Sequence, residues 1–297
     1  MTATPSAPRL GSAPGPAGTT PDDLLLDDLS RPRAARPRRY LMCPPEHFAL
    51  DYAINPWMTA GDAVDVARAT AQWQALRDTY TALGHEVHVI DAVPGLPDMV
   101  FAANGGLVVD GLVMPARFRH AERVGEGPVY REWFRRNGFT PLDSPHVSEG
   151  EGDFLVVGRY VLAGTGFRTH HEAHDDAQEL LGRPVVTLRL VDPRFYHLDT
   201  ALAVLDDETV AYYPPAFSPG SLAALRLLFP DAVVAAEADA MVLGLNAVSD
   251  GRHVVLPGTA TGLAAQVAAR GFVPVPVDLS ELRKAGGGPK CCTLELR

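Results

Sequence analysis

A cysteine near the end of the chain, Cys291, follows the run Lys284-Ala-Gly-Gly-Gly-Pro-Lys290. Three glycines and a proline let the backbone turn sharply, so the run predicts a thiol presented beside free N–H groups, a setting that activates a sulfur nucleophile. Its neighbour Cys292 should point the other way by strand alternation, into the core. His197-Leu198-Asp199 adds an imidazole and a carboxylate two residues apart, which puts both on one face of an extended segment. Two more polar segments complete the set: Glu149-Gly-Glu-Gly-Asp153, and Pro97-Asp98-Met-Val-Phe-Ala-Ala-Asn104, in which Asp98 and Asn104 bracket an apolar stretch. Taken singly, an H-x-D reads as a strand cap and a late cysteine as core. Found together at corresponding loop positions, a thiol, an imidazole and several carboxylates imply nucleophilic chemistry with acid–base assistance.

Metal chemistry finds little support. There is no C-x-x-C and no H-E-x-x-H, and His170 with His174 form an H-x-x-x-H with no third ligand at suitable spacing, which reads as a solvated helix start. The glycines at 286–288 lack the strand-to-helix context of a phosphate loop, and no serine nucleophile elbow occurs. Neither a metal nor a cofactor is expected.

The elements that must position these residues recur with a period. Four segments, 106–115, 154–163, 201–210 and 246–256, read as two short apolar strands around a polar turn, spaced about every 45–50 residues. Helical patterns at 62–83, 173–181 and 221–228 lie between them, followed by single strands at 86–90, 184–190 and 232–236. Strands at 40–42 and 292–296 supply a fifth hairpin split across the chain ends. Five strand-strand-helix-strand units closed in a ring predict an α/β fold, a single five-bladed pseudosymmetric α/β propeller with loops converging on a central cavity. A doubly wound sheet is the alternative, and it fits the repeated hairpins less well.

Of the 297 residues, 46% are hydrophobic and 21% charged, enough apolar material for a folded core. The net charge of −10 argues against a nucleic-acid or anionic-membrane partner and suits a small cationic ligand. Three cysteines exclude a disulfide framework and indicate a reducing, cytoplasmic compartment. Residues 1–38, rich in Pro, Ala, Gly and Ser, read as a disordered tail without the features of a secretory signal, with Asp22–Leu29 as an alternative short docking helix. Residues 39–297 form the catalytic domain. The oligomeric state stays open, a homo-oligomer included.

Pro97-Asp98-x-x-Phe101-x-x-Asn104, Glu149-x-x-x-Asp153, His197-Leu-Asp199-Thr and Lys290-Cys291-x-Thr293 together resemble the guanidine-modifying (pentein) superfamily, from about Arg39 to the C-terminus. Further strings, Leu41-Met-Cys-Pro-Pro45, Ile54-Asn-Pro-Trp-Met58, Arg117-Phe118 with Glu122-Arg123, and Ala236-Glu-Ala-Asp-Ala240, look most like the hydrolase domain of cyanobacterial-type arginine dihydrolases. The resemblance implies that Cys291 attacks a guanidinium carbon to form a covalent S-amidino intermediate. It implies that His197 is the acid and base, and that Glu149 orients His197 and a substrate nitrogen. Asp98 and Asp199 would hold the guanidinium, Phe101 would stack on it, and Asp153 would share this role or brace its hairpin. Arg123 and Arg168 would take the α-carboxylate, with surface ion pairs as the alternative, and Asn55 would belong to a flexible lid. Deiminases and most dimethylargininases carry an aspartate where this sequence has Asn104, and dimethylargininases a lysine in place of Asp199. The combination resembles arginine dihydrolases, so arginine cleavage to ornithine, ammonia and carbon dioxide is the first expectation. A dimethylarginine dimethylaminohydrolase or an amidinotransferase is the alternative, and a non-enzymatic sensor the reading that an intact Cys291, His197 and Glu149 weaken.

Overall fold

A computed structural model describes residues 33–297. Strand β1 (Arg39–Met42) pairs in parallel with β2 (Glu86–Val89), and helix α1 (Val66–Ala82) makes the crossover that a parallel pair requires. The pattern repeats four times. Hairpin β3 (Gly106–Val109) and β4 (Leu112–Pro115) is followed by α2 (Glu126–Arg136) and the parallel strand β5 (Thr140–Pro141). Next come β6 (Phe154–Val157), β7 (Tyr160–Thr165), α3 (Glu172–Leu181) and β8 (Val185–Arg189). After a short helix α4 (Leu198–Ala201) follow β9 (Leu202–Val204), β10 (Val210–Tyr212), α5 (Pro219–Leu228) and β11 (Val233–Val234). A second short helix, α6 (Glu237–Ala240), leads to β12 (Val248–Ser249), β13 (His253–Pro257), α7 (Thr261–Ala269) and β14 (Val273–Val277). Finally β15 (Leu294–Glu295) returns antiparallel to β1, closing the fifth unit from the two ends of the described chain.

Among the described residues there are thus five three-stranded sheets, the α/β propeller that the hairpin period predicts. The first strand of each hairpin lies innermost: β15 runs against β3, β6 against β9, and β9 against β12. All four residues of β3 are buried, whereas the crossover strands β2 and β14 are largely half-exposed. Local chemistry sets the boundaries. The predicted helix at 62–83 begins only at Val66, because the Asp65 carboxylate accepts the Arg68 N–H and caps it, after which Ala69, Trp73, Leu76 and Tyr80 turn one face inward. Helix α5 starts from Ser218 in the same way, with Pro219 in its first turn.

One expectation needs amending. Residues 33–38, assigned to the tail, already pack on the domain: the Arg33 guanidinium stacks 4.1 Å from the Phe272 ring centroid, and the Arg36 N–H donates to the Asp250 carbonyl. The proposed helix at Asp22–Leu29 lies outside the described residues. No helix among the described residues is long and apolar enough to cross a membrane.

Candidate active site

Each inner strand is approached through a polar residue. Asn104, Asp153, Asp199, Asn246 and Cys291 stand one to three positions ahead of β3, β6, β9, β12 and β15, at intervals of 45 to 49 residues. The ring brings these five positions to one end of the propeller. Asn246 was not among the predicted site residues, since an asparagine has no nucleophilic or acid–base signature. Its place in the period was the available clue.

The Cys291 turn folds inward. Gly286 adopts φ +81°, and a Cβ on Gly287 would collide with the Phe101 ring, so the run lies directly on that side chain. Asn246 clamps the nucleophile position from both sides: Oδ1 accepts the Cys291 N–H at 3.0 Å, while Nδ2 donates to Sγ at 3.0 Å and to the Asp199 carbonyl at 3.1 Å. Sγ in turn donates to Asp199 Oδ2 at 3.2 Å. The thiol is therefore buried, 2% exposed, contrary to the presented cysteine that the glycine run predicted. Burial and the neighbouring Asp199 charge push it well above the ordinary thiol range. Cys292 is fully buried in the core, as strand alternation predicts.

His197 and Asp199 do not share an extended segment. His197 is extended, but Leu198–Ala201 form a helical turn, and the two side chains reach different partners. His197 Nε2 lies 2.7 Å from Glu149 Oε2, which also accepts Arg168 Nη1 at 2.9 Å, while Oε1 takes the Arg119 N–H. Burial favours the neutral acid at Glu149, but the Arg168 charge and the His197 hydrogen bond overrule it and hold the carboxyl far below its usual range. Among the described residues, Asp199 forms no ion pair. Burial raises it to about 7, against the opposing charge of Lys290.

Of the remaining predicted residues, Asp98 faces the site with Oδ2 held by the Tyr52 hydroxyl at 3.0 Å, and burial raises it. Asp153 braces its hairpin: one oxygen accepts the Leu198 N–H and the other the Thr169 N–H, both at 3.1 Å. Asn104 bridges Arg123 Nη1 and the Glu149 carbonyl, at 2.8 and 3.2 Å. Phe101 is buried edge-on to Phe48. Neither arginine makes a surface ion pair. Arg123 is 3% exposed and forms a two-pronged pair with Glu126, and Arg168 stacks 4.7 Å from the Tyr196 ring centroid while bonding Glu149 and the Ile54 carbonyl. Asn55, expected in a flexible lid, is tied down: its Nδ2 donates to the Ala285 carbonyl and its Oδ1 accepts the Trp57 N–H. Tyr52, Trp57 and Tyr196 were missed because they act through partners distant in sequence, and Glu126, only three residues from Arg123, because a local Arg–Glu pair gives no sign of burial.

The H-x-x-x-H pair separates. His174 is buried between Thr187 Oγ1 and the Gly164 carbonyl, and burial lowers it to about 4, so it is a core histidine rather than part of a solvated helix start. No cluster of three His, Cys, Asp or Glu among the described residues is arranged to hold a metal ion.

No family profile matches the chain. Individual relatives do. The chain is 58% identical over 264 residues to the N(G),N(G)-dimethylarginine dimethylaminohydrolase of Mycobacterium tuberculosis, covering 89% of this chain and 87% of that protein. It belongs to the guanidine-modifying (pentein) hydrolases. The bifunctional arginine dihydrolase/ornithine cyclodeaminase ArgZ of Synechocystis is 39% identical over 87% of the chain, which spans 37% of that longer protein. The crystal structure of the ArgZ N-terminal domain covalently bound to a reaction intermediate superimposes with a TM-score of 0.85 at 39% identity, covering 88% of this chain and 98% of that one. A dimethylarginine dimethylaminohydrolase adduct at 21% identity, TM-score 0.72, shares the fold.

In this pentein hydrolase three buried polar atoms around the site have no hydrogen-bond partner among the described residues: Asp98 Oδ1, Asp199 Oδ1 and His197 Nδ1. Buried polar atoms left unpaired are costly.

Proposed function

We propose that this protein hydrolyses N-methylated arginine to citrulline and the methylamine, with dimethylarginine as the preferred substrate. The observation that carries the chemistry is the pair of unsatisfied acceptors, Asp98 Oδ1 and Asp199 Oδ1, beside a thiol 3.2 Å from Asp199. The methylated substrate is supported by the 58% identity to a dimethylarginine dimethylaminohydrolase, against 39% to ArgZ, which reverses the order of the two sequence-based expectations.

A guanidinium between Asp98 and Asp199 puts a positive charge beside Sγ and reverses the burial that keeps the thiol protonated. The thiolate attacks the guanidino carbon. His197, oriented by its hydrogen bond to Glu149, donates a proton to the departing dimethylamine, leaving an S-amidino bond on Cys291. His197 then takes a proton from water as its oxygen adds to the same carbon, the C–S bond breaks, and citrulline leaves with the thiolate restored. Asp153 holds the hairpin that carries Glu149.

A second reading rests on Asn104. A neutral amide next to the guanidino site is compatible with both a cation and a neutral ureido group, so arginine cleavage through to ornithine is the competing outcome. Incubation with asymmetric dimethylarginine and, separately, arginine decides between them. Citrulline and dimethylamine from the first with little turnover of the second supports the proposal. Ornithine with two ammonia per arginine establishes the dihydrolase, and turnover of neither refutes both.

A further inference from the structure

Glu149 and Glu151 leave the same short turn in different directions. Glu149 meets His197, whereas Glu151 reaches toward the Cys291 turn and accepts Lys290 Nζ at 2.6 Å. The ion pair is well shielded, with the Glu151 side chain 4% exposed and that of Lys290 15%. Nζ also donates to the Thr293 carbonyl, and the same Glu151 oxygen takes the Glu295 N–H at 2.9 Å. These contacts tie the turn carrying Glu149, the partner of His197, to the turn carrying the sulfur, one residue from Cys291 on one side and two from Glu149 on the other.

We propose that Lys290 and Glu151 are a positioning pair for the hydrolytic site, locking the Cys291 turn to the Glu149 turn and setting the balance of charge behind Asp199 and Cys291. The proposal rests on Cys291 being the nucleophile of the function given above. The groups concerned are few. Asp199 is faced by Cys291 Sγ and Asn246, with Lys290 and Glu151 acting on it in opposite senses and Cys292 close behind. Glu151 also feels Glu295 and Arg297, and Arg38 and Arg297 pair with Glu295. Of these groups, the Lys290–Glu151 pair is the part that joins both turns. Breaking the pair from either side loosens the same contact, but it leaves opposite charges behind.

That asymmetry gives the test. Lys290→Met, Glu151→Gln and Lys290→Arg are made in the full-length protein. Each is measured for the pH dependence of kcat/KM and, independently of turnover, for the pH dependence of Cys291 alkylation by iodoacetamide, followed on the Cys291 peptide by mass spectrometry. Lys290→Met should move both profiles toward higher pH by about one unit, roughly a tenfold loss at a fixed pH on the acidic limb. Glu151→Gln should move them toward lower pH, and Lys290→Arg should stay near wild type. Profiles that move in the same direction for Met and Gln, or do not move, overturn the proposal and leave a purely structural ion pair. Should the wild type consume neither substrate, the functional reading fails, while the alkylation profiles still decide the role of the pair.

Discussion

Replacing Glu149 by glutamine keeps the shape of the side chain and removes its charge. In the structure that carboxylate satisfies Arg168 Nη1, His197 Nε2 and the Arg119 N–H at once, with both arginine and histidine side chains 2% exposed. The substitution therefore strands a buried guanidinium. Breaking a buried pair from one side costs about 3–5 kcal/mol. At roughly 2–4 °C per kcal/mol for a chain of this size, the melting temperature should fall by about 6–20 °C. Because Glu149 is held far below the usual carboxylate range, its contribution is fully present above that range and is lost only as pH falls toward its own low value. The stability gap should accordingly be constant from about pH 6 to about pH 9 and narrow progressively as pH falls below the ordinary carboxylate range. Losing the group that orients His197 should also lower kcat/KM by about 10²–10⁴-fold. Calorimetry and steady-state kinetics at several pH values check both, and adding Arg168→Met to the glutamine variant should recover part of the stability but none of the activity. A glutamine variant with unchanged melting temperature and kcat/KM within a few-fold of wild type would refute the assignment of Glu149.

Other outcomes follow from single contacts. Asp199, raised to about 7, favours folding while protonated and loses that contribution as pH rises through 7, so Asp199→Asn should gain stability relative to wild type at alkaline pH while losing turnover; parallel thermal curves at all pH values would contradict this. The same group makes kcat/KM rise with pH through about 7 in the wild type, which a pH–rate profile reads. Asp153→Asn should cost about 1–3 kcal/mol by leaving one backbone N–H unpaired, with urea unfolding as the check and a larger effect on stability than on KM. Gly287→Ala forces Phe101 off its position and should lower kcat/KM, while Asn55→Ala, which releases the Ala285 carbonyl and the Trp57 N–H, does so less.

The architecture was legible because hairpin composition repeats: apolar strand, polar turn, apolar strand, at a period no single element has. The split fifth hairpin followed from the same count. What stayed illegible was local direction. The segment after His197 alternates like a strand, yet Asp153 captures the Leu198 N–H and the chain winds into a helical turn instead. The glycines before Cys291 permit an outward turn, and contact with Phe101 and Asn246 selects the inward one. Arg123 and Arg168 carry no sign in the sequence of which carboxylate they will meet. Glu126 is a local i,i+3 partner whose burial the sequence does not show, whereas Glu149 on Arg168, Tyr52 on Asp98 and Tyr196 beneath Arg168 are fixed only when the units pack together.

The central claim is that Cys291 carries the guanidino carbon. Acid-quenching the protein within the first turnovers on asymmetric dimethylarginine, then mapping peptides by mass spectrometry, addresses it directly. The account predicts an S-amidino adduct confined to the Cys291 peptide, containing the arginine skeleton without dimethylamine, and no adduct or turnover in Cys291→Ser. Turnover with an unmodified Cys291 peptide throughout, or an active serine variant, would contradict it.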